Sequence, residues 1–168
     1  SRPFGGGGAR IKKAGVPQGP PAFFMAFGLR DRPAQAGPAL KRLVISPSDL
    51  ERVDEPILIT RVLSEHSASD IAQLADGGDP LATYLLGYMQ QFGIGVPRDL
   101  AKARATLEKA ASYRTPSGLL ELAYFLHHNP TGPGDQARAV ELYKAAADLG
   151  FAKARAHYAT VLMTGRLV

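Results

Sequence analysis

The apolar positions of this chain fall into a helical rhythm that restarts every 36 residues. Leu100, Ala103, Leu107 and Ala110 recur at three- and four-residue steps, and Ala139, Leu142, Tyr143 and Ala146 do the same one period later. The full pattern is A-x3-L-G-x5-G-x-G-V-x2-D-x2-K-A-x6-A-A. Ala82, Leu86, Gly87, Asp99, Lys102, Ala103, Ala110 and Ala111 align with Gly118, Leu122, Ala123, Asp135, Arg138, Ala139, Ala146 and Ala147. A partial third copy places Ala154, Tyr158, Ala159 and Gly165 opposite Ala82, Leu86, Gly87 and Gly93. A period of this length predicts stacked supersecondary units, which bury a continuous core only by packing on their neighbours.

Each unit reads as two antiparallel helices. Small residues recur where helices must approach: Ala82/Gly118/Ala154 and Gly87/Ala123/Ala159 on the first helix, Ala103/Ala139 and Ala110/Ala146 on the second. A larger side chain there would strain the core or part the helices. Gly93 and Gly95 end the first helix of copy one, because glycine tolerates the left-handed conformation of a C-cap. Asp99 and Asp135 are expected to cap the second helices, whose exposed N–H groups and positive dipole end favour a carboxylate.

These residues resemble the Sel-one-like repeats, a branch of the tetratricopeptide-like α-solenoids. The first copy carries the loop Gly93-Ile94-Gly95-Val96 and the pair Lys102-Ala103; the second has Asn129 and Thr131 in place of the loop glycines, with Gly132 and Gly134 nearby. The resemblance covers roughly half the chain. It implies an all-α solenoid of about two and a half repeats and a role in protein–protein scaffolding, with no shared catalytic residue.

Upstream of the repeats the pattern is weaker. Ser46-Pro47-Ser48-Asp49 signals a helix start with Ser48 as its N-cap, and Pro56 opens a second helix with Ile57, Leu58, Val62 and Leu63 on its apolar stripe. Ser67 or Ser69 caps a third, through Ile71, Leu74 and Ala75 to Gly77-Gly78. These helices are read as an N-terminal cap, which hides the apolar face of the end repeat. The division is an extended arm over 1–45 and a helical-repeat domain over 46–168. That domain splits into cap helices at 46–78, repeats at 79–114 and 115–150, and a half repeat at 151–168.

Composition separates the arm from the rest. Residues 1–45 hold eight glycines and six prolines, which oppose regular structure. They also hold Arg2, Arg10, Lys12, Lys13, Arg30, Arg32, Lys41 and Arg42 against Asp31 alone, whereas residues 46–168 carry 12 basic and 14 acidic side chains. The net charge of +5 is therefore a property of the arm. Phe23, Phe24, Met25 and Phe27 form an apolar cluster between its basic segments. Two readings stand for that cluster: an anchor on the chain's own solenoid, or a peptide seated in a partner's groove, where aromatic anchors dominate binding energy. The arm's basic residues are candidate RNA-phosphate contacts.

The chain begins at Ser1, and residues 1–30 contain no acid. Acid-poor, arginine-bearing N-terminal regions are typical of transit peptides, so a mitochondrial setting is expected, with cytoplasmic or bacterial periplasmic settings as alternatives. No apolar run approaches the ~20 residues a membrane helix needs, the longest being 21–29. A transmembrane protein is not expected.

Catalytic chemistry finds little support. No nucleophile–histidine–acid spacing stands out. His127 and His128 are adjacent and diverge on a helix, His157 lies in the next unit and His66 far away, so no converging metal site is expected. With no cysteine there is no thiolate ligand. Gly5 to Gly8 lack the strand before and the Gly-Lys-Ser/Thr after that a phosphate loop requires. No cofactor, small-molecule substrate or enzymatic activity is expected.

A better site candidate comes from the face opposite the pattern's buried stripe. In copy one Tyr84, Leu85, Tyr88 and Phe92 project there; in copy two, Leu120, Glu121, Tyr124 and His128; in copy three, Ala156, His157, Thr160 and Thr164. Either this face packs on neighbouring first helices and the cap, or it lines a concave groove for a peptide or partner helix. Tyr84, Tyr88, Phe92 and Tyr124, with Phe23, Phe24 and Phe27 of the arm, are the candidate partner contacts. The expected function is a non-catalytic scaffold or accessory subunit of a large mitochondrial assembly. The alternative is a ribonucleoprotein component, such as a mitochondrial ribosomal subunit whose basic arm contacts ribosomal RNA.

Overall fold

The structure is a computed structural model and describes residues 40–164. The described residues form eight helices and no strand: α1 (Pro47–Arg52), α2 (Glu55–Glu65), α3 (Ala68–Asp76), α4 (Pro80–Phe92), α5 (Leu100–Ser112), α6 (Pro116–His128), α7 (Asp135–Asp148) and α8 (Ala152–Thr164). The pairs α4/α5 and α6/α7 are the two full repeats, and α8 is the first helix of a third. Each helix packs on the next from α3 to α8, and α4 also packs directly on α6. The direct α4–α6 contact puts the first helices of the repeats on the inner face of the stack.

The repeat boundaries are fixed by local chemistry that recurs at the same period. Asp79 and Thr115 are N-caps one period apart, each followed by proline, and their side chains accept from the N–H groups of Ala82 and Gly118. Just before them, Gly78, Arg114 and Gly150 all adopt positive φ, at 88°, 54° and 86°. That turn reverses the chain between a second helix and the next first helix. Gly78 lies at the end of α3, so α3 occupies the place of a second helix one period before α5. The cap is thus partly a degenerate repeat.

Small residues sit where the pattern requires them. Gly87 and Ala123 are buried against the second helices of their own repeats. Gly118 lies against the end of α5, where a Cβ would be 2.5 Å from the Ala110 carbonyl oxygen. In α8 the equivalent of Gly87, Ala159, is exposed, because no second helix covers it among the described residues.

The core has two centres. One gathers Leu58, Ile59, Val62 and Ile71 of the cap with Tyr84, Leu85 and Met89 of α4. The other gathers Leu107, Leu119, Leu122, Phe125, Leu126, Tyr143, Phe151 and Val161 from the repeats. Each such side chain taken from water contributes roughly 1.5–3 kcal/mol. α6 lies at the middle of the stack and is buried nearly all round, from Ser117 to Ala123 without a break. A first helix enclosed this way must be apolar on most faces, as Leu119, Leu120, Leu122 and Ala123 are.

Three local expectations are corrected. Ser46, not Ser48, caps α1: its side chain accepts from the Asp49 N–H, and Pro47 takes the first turn, where its missing N–H costs nothing. Leu43, assigned to the arm, is buried in the first core, so packed structure begins before residue 46. Asp135 does not cap α7 from outside. It sits within the first turn behind Gly134, and its carboxylate instead accepts from the Thr131 and Gly132 N–H groups at 2.8 and 3.2 Å. This carboxylate closes the loop that lacks the glycines of the first copy, whose Gly93 ends α4 at φ 74°. Asp99 does cap α5, accepting from the Lys102 N–H at 3.0 Å.

Asp135 also ties the repeats together. Arg104 of α5 donates both terminal nitrogens to it, at 2.8 and 2.7 Å. The guanidinium and the loop N–H groups hold the Asp135 carboxyl well below the usual carboxylate range. Arg138 makes a second bidentate bridge back to Glu108, at 2.6 and 2.5 Å.

Candidate protein-docking face

The inner face is built from the sides of α4, α6 and α8 that point away from their second helices. The structure divides the expected partner residues into two tiers. Tyr84 is only 3% exposed and Leu85 is fully buried, both packed into the first core. Leu120 and Glu121 are likewise buried. Tyr84 is therefore a core residue in this chain, and its expected place on an open groove is corrected. The physical reason is that α2, α3 and the segment before α2 cover this end of α4, a second packing surface that the repeat pattern does not encode.

The other tier remains open. Tyr88 and Tyr124 are half-buried, one period apart. Each packs against the ring one turn further along its helix, the first pair tilted and the second stacked. Tyr88 meets Phe92 with ring centroids 4.5 Å apart, and Tyr124 meets His128 at 4.0 Å. Phe92 is 41% exposed and His128 is exposed. In α8 the ladder continues as Thr160 and Thr164, both exposed. The result is a strip of ring faces and edges that turns polar toward the C-terminal end. His157 joins it from α8, edge-on to Tyr124 at 6.1 Å and stacked on Tyr143 at 5.7 Å.

The buried tier includes an acid. Glu121 is 5% exposed, and its Oε1 has no hydrogen-bond partner. Burial, reinforced by the nearby Glu55 carboxylate and opposed by Lys153, pushes its carboxyl up to about 8. The same burial raises the phenols of Tyr84 and Tyr88, with Glu121 and Glu55 adding to it. Burial also lowers the His157 imidazole.

Glu55 belongs to the start of α2 and reaches this place because the cap crosses the inner face. The Lys153 ammonium of α8 donates to the Val53 carbonyl and to the Glu55 carboxylate, each at 2.9 Å. Leu50 packs against both hydrophobic cores. Residues 46–55 thus form a strap from the N-terminal core to the first turn of α8. The residue-by-residue pattern gave no sign of it, since its partners lie about a hundred positions apart; the one available signal was a set of apolar residues, Leu50 and Val53, in a segment that did not match the repeat.

The remaining candidate residues fall elsewhere. Phe23, Phe24, Phe27, Arg2, Arg10, Lys12, Lys13, Arg30 and Arg32 lie outside the described residues. Lys41 and Arg42 are exposed beside the buried Leu43. Among the described residues, no cluster of three histidine or acidic side chains is placed to hold a metal ion. Among the same residues, no helix is long and apolar enough to cross a membrane.

The geometry defines an α-solenoid whose first helices present an aromatic strip on the inner face. The Sel1 repeat family model matches residues 80–112 and 116–151, the two full repeats. Repeats of this family build protein–protein interaction scaffolds. The fold is similar to the crystal structure of a Sel1 repeat protein from Oxalobacter formigenes, with a TM-score of 0.55 and 22% sequence identity. The similarity covers 71% of this chain and 50% of that one, so the chain spans half the length of that neighbour. No curated protein matches this sequence.

Proposed function

We propose that this chain is a non-catalytic scaffold or accessory subunit of a large multi-subunit assembly in the mitochondrion. It docks protein partners through the inner face of its solenoid and through its N-terminal arm. The observation that carries this reading is the aromatic strip Tyr88–Phe92 and Tyr124–His128, repeated one period apart on the exposed tier of the first helices. Solvent-facing aromatic pairs in register offer a partner large, preorganised apolar contacts at little cost in side-chain entropy. The mitochondrial setting is supported by the acid-free stretch over residues 1–30.

A second reading is favoured by the charge division. All the net positive charge lies in residues 1–45, which suits an arm that neutralises RNA phosphates while a near-neutral solenoid contacts proteins. In that case the assembly is a ribonucleoprotein such as the mitochondrial ribosome. Sedimentation of the full chain from source cells separates the two. A protein assembly keeps the chain in its heavy fraction after ribonuclease treatment; a ribonucleoprotein releases it. A chain that sediments alone before and after treatment would remove both readings.

A further inference from the structure

We infer that residues 46–55 are a displaceable occupant of the inner groove, and that the partner displacing them is a protein segment of the same chemistry. That chemistry is two apolar side chains three positions apart, then a carboxylate aimed at Lys153. The inference rests on the docking reading of this face and names what the covered tier receives.

Three features of the strap point this way. Its ends are anchored in the core, and its middle is held only by partly exposed contacts: the Arg61–Asp49 ion pair at 2.9 Å, Leu50 and the Lys153 clasp. Leu43 before it and Leu58 after it are both buried in the first core, so the intervening segment can swing out without disturbing either end. α1, the helix within it, is six residues long and buries none of them. Segments with few buried contacts open at a small fraction of the global unfolding free energy.

The clasp is specific. Lys153 reads one backbone carbonyl and one carboxylate of the strap, both at 2.9 Å, and both charged side chains are only about a quarter exposed or less. Leu50 supplies the apolar contact by bridging the two cores. A partner segment can reproduce all of this, because the strap recognises the groove through two apolar groups, one carbonyl and one carboxylate.

The strap is also an incomplete ligand. Beneath it the Glu121 Oε1 is buried without a partner. Leaving a buried polar atom unpaired penalises the closed state. A competing segment that brings a donor to this atom gains an advantage that the strap lacks.

The test uses the full chain and a labelled peptide of residues 46–58. In Glu55→Gln, hydrogen exchange at amides 50–55 should accelerate at least tenfold while exchange in α6 is unchanged. In Leu50→Ser/Glu55→Gln, whose substituted residues are only partly buried, the peptide should bind at least tenfold more tightly than to the wild-type chain. Adding Lys153→Ala should abolish that gain. The helical circular dichroism signal confirms that each variant is folded, and Glu55→Gln alone carries the exchange test if the double variant is not. Unchanged strap exchange in Glu55→Gln would overturn the inference and leave the open aromatic strip untouched. Accelerated exchange with no gain in peptide binding would overturn it in a different way, by showing that the uncovered tier does not accept protein segments.

Discussion

Leu107 lies directly over Gly87, so that a Cβ on the glycine would stand 2.7 Å from the leucine Cγ. Both residues are buried, and the contact seats α5 against α4. The matching position in α8, Ala159, has no helix over it among the described residues.

This contrast gives the first prediction. Gly87→Leu should destabilise the fold by about 1–3 kcal/mol, the usual cost of overpacking a close helix contact. Ala159→Leu should stay within about 0.5 kcal/mol of wild type, as exposed substitutions do. Denaturant titration of the two variants checks both. Equal effects would mean that the register of small residues does not report helix contact.

The turn between the repeats supplies the second. Arg114 holds a φ of 54° at the position that Gly78 and Gly150 fill elsewhere in the chain. A non-glycine residue in this region bears roughly 1–2 kcal/mol of strain, offset in the glycine variant by ~0.5–1 kcal/mol of extra unfolded-state entropy. Arg114→Gly should therefore stabilise the protein by about 0.5–1 kcal/mol. A lower thermal midpoint for the variant would contradict this account of the turn.

Glu121 makes stability depend on pH. Its folded carboxyl titrates at about 8, whereas an unfolded glutamate titrates near ~4.3. Between these values the unfolded chain has lost the proton and the folded chain still holds it. Stability thus falls as pH rises through that window and is level on either side. Glu121→Gln mimics the protonated form and should remove the fall. The variant should match wild type near pH 4 and exceed it by about 2 kcal/mol or more above pH 8. Parallel stability profiles for the two proteins across this range would show that the carboxyl is not held neutral.

The arm is addressed by salt. If Arg10, Lys12 and Lys13 contact phosphates, binding of a peptide of residues 1–39 to RNA should fall steeply with ionic strength, and replacing all three by alanine should reduce the slope by about three. A shallow slope, or one unchanged by the substitutions, would leave the protein-only scaffold as the surviving reading. Residues 1–39 are the relevant segment, because Leu43 belongs to the packed core.

What the sequence discloses of this fold follows from the reach of each signal. The period of 36 carries the helix pairs, the Gly93 C-cap, the Asp99 cap and the close approach at Gly87, since all of these repeat or act within a few residues. It also carries the open tier, because Tyr88 and Tyr124 fall on the same side of equivalent helices. The periodic turn at 78, 114 and 150 is hidden by the arginine in its middle copy, although two glycines mark it. Tyr84 and Glu121 lie on the same helical faces as the open residues, yet they are buried where α2, α3 and a strap that matches no repeat cover this face. Its clasp joins Glu55 to Lys153, 98 positions away, a contact that no local pattern can announce. The pattern marks Asp135 as a helix-start residue, but its role in the loop depends on Arg104 from the preceding repeat.

The central claim is that the inner face is where partners dock, and site-specific photo-crosslinking measures it most directly. A benzophenone amino acid is placed at Phe92 or Tyr124 on the inner strip, or at the exposed Ala101 or Glu141 of the second helices, in the full chain within its source cells. The account predicts protein adducts of the same discrete mass from positions 92 and 124, and none of that mass from 101 and 141. Adducts confined to 101 and 141, or the same adduct from all four positions, would contradict it.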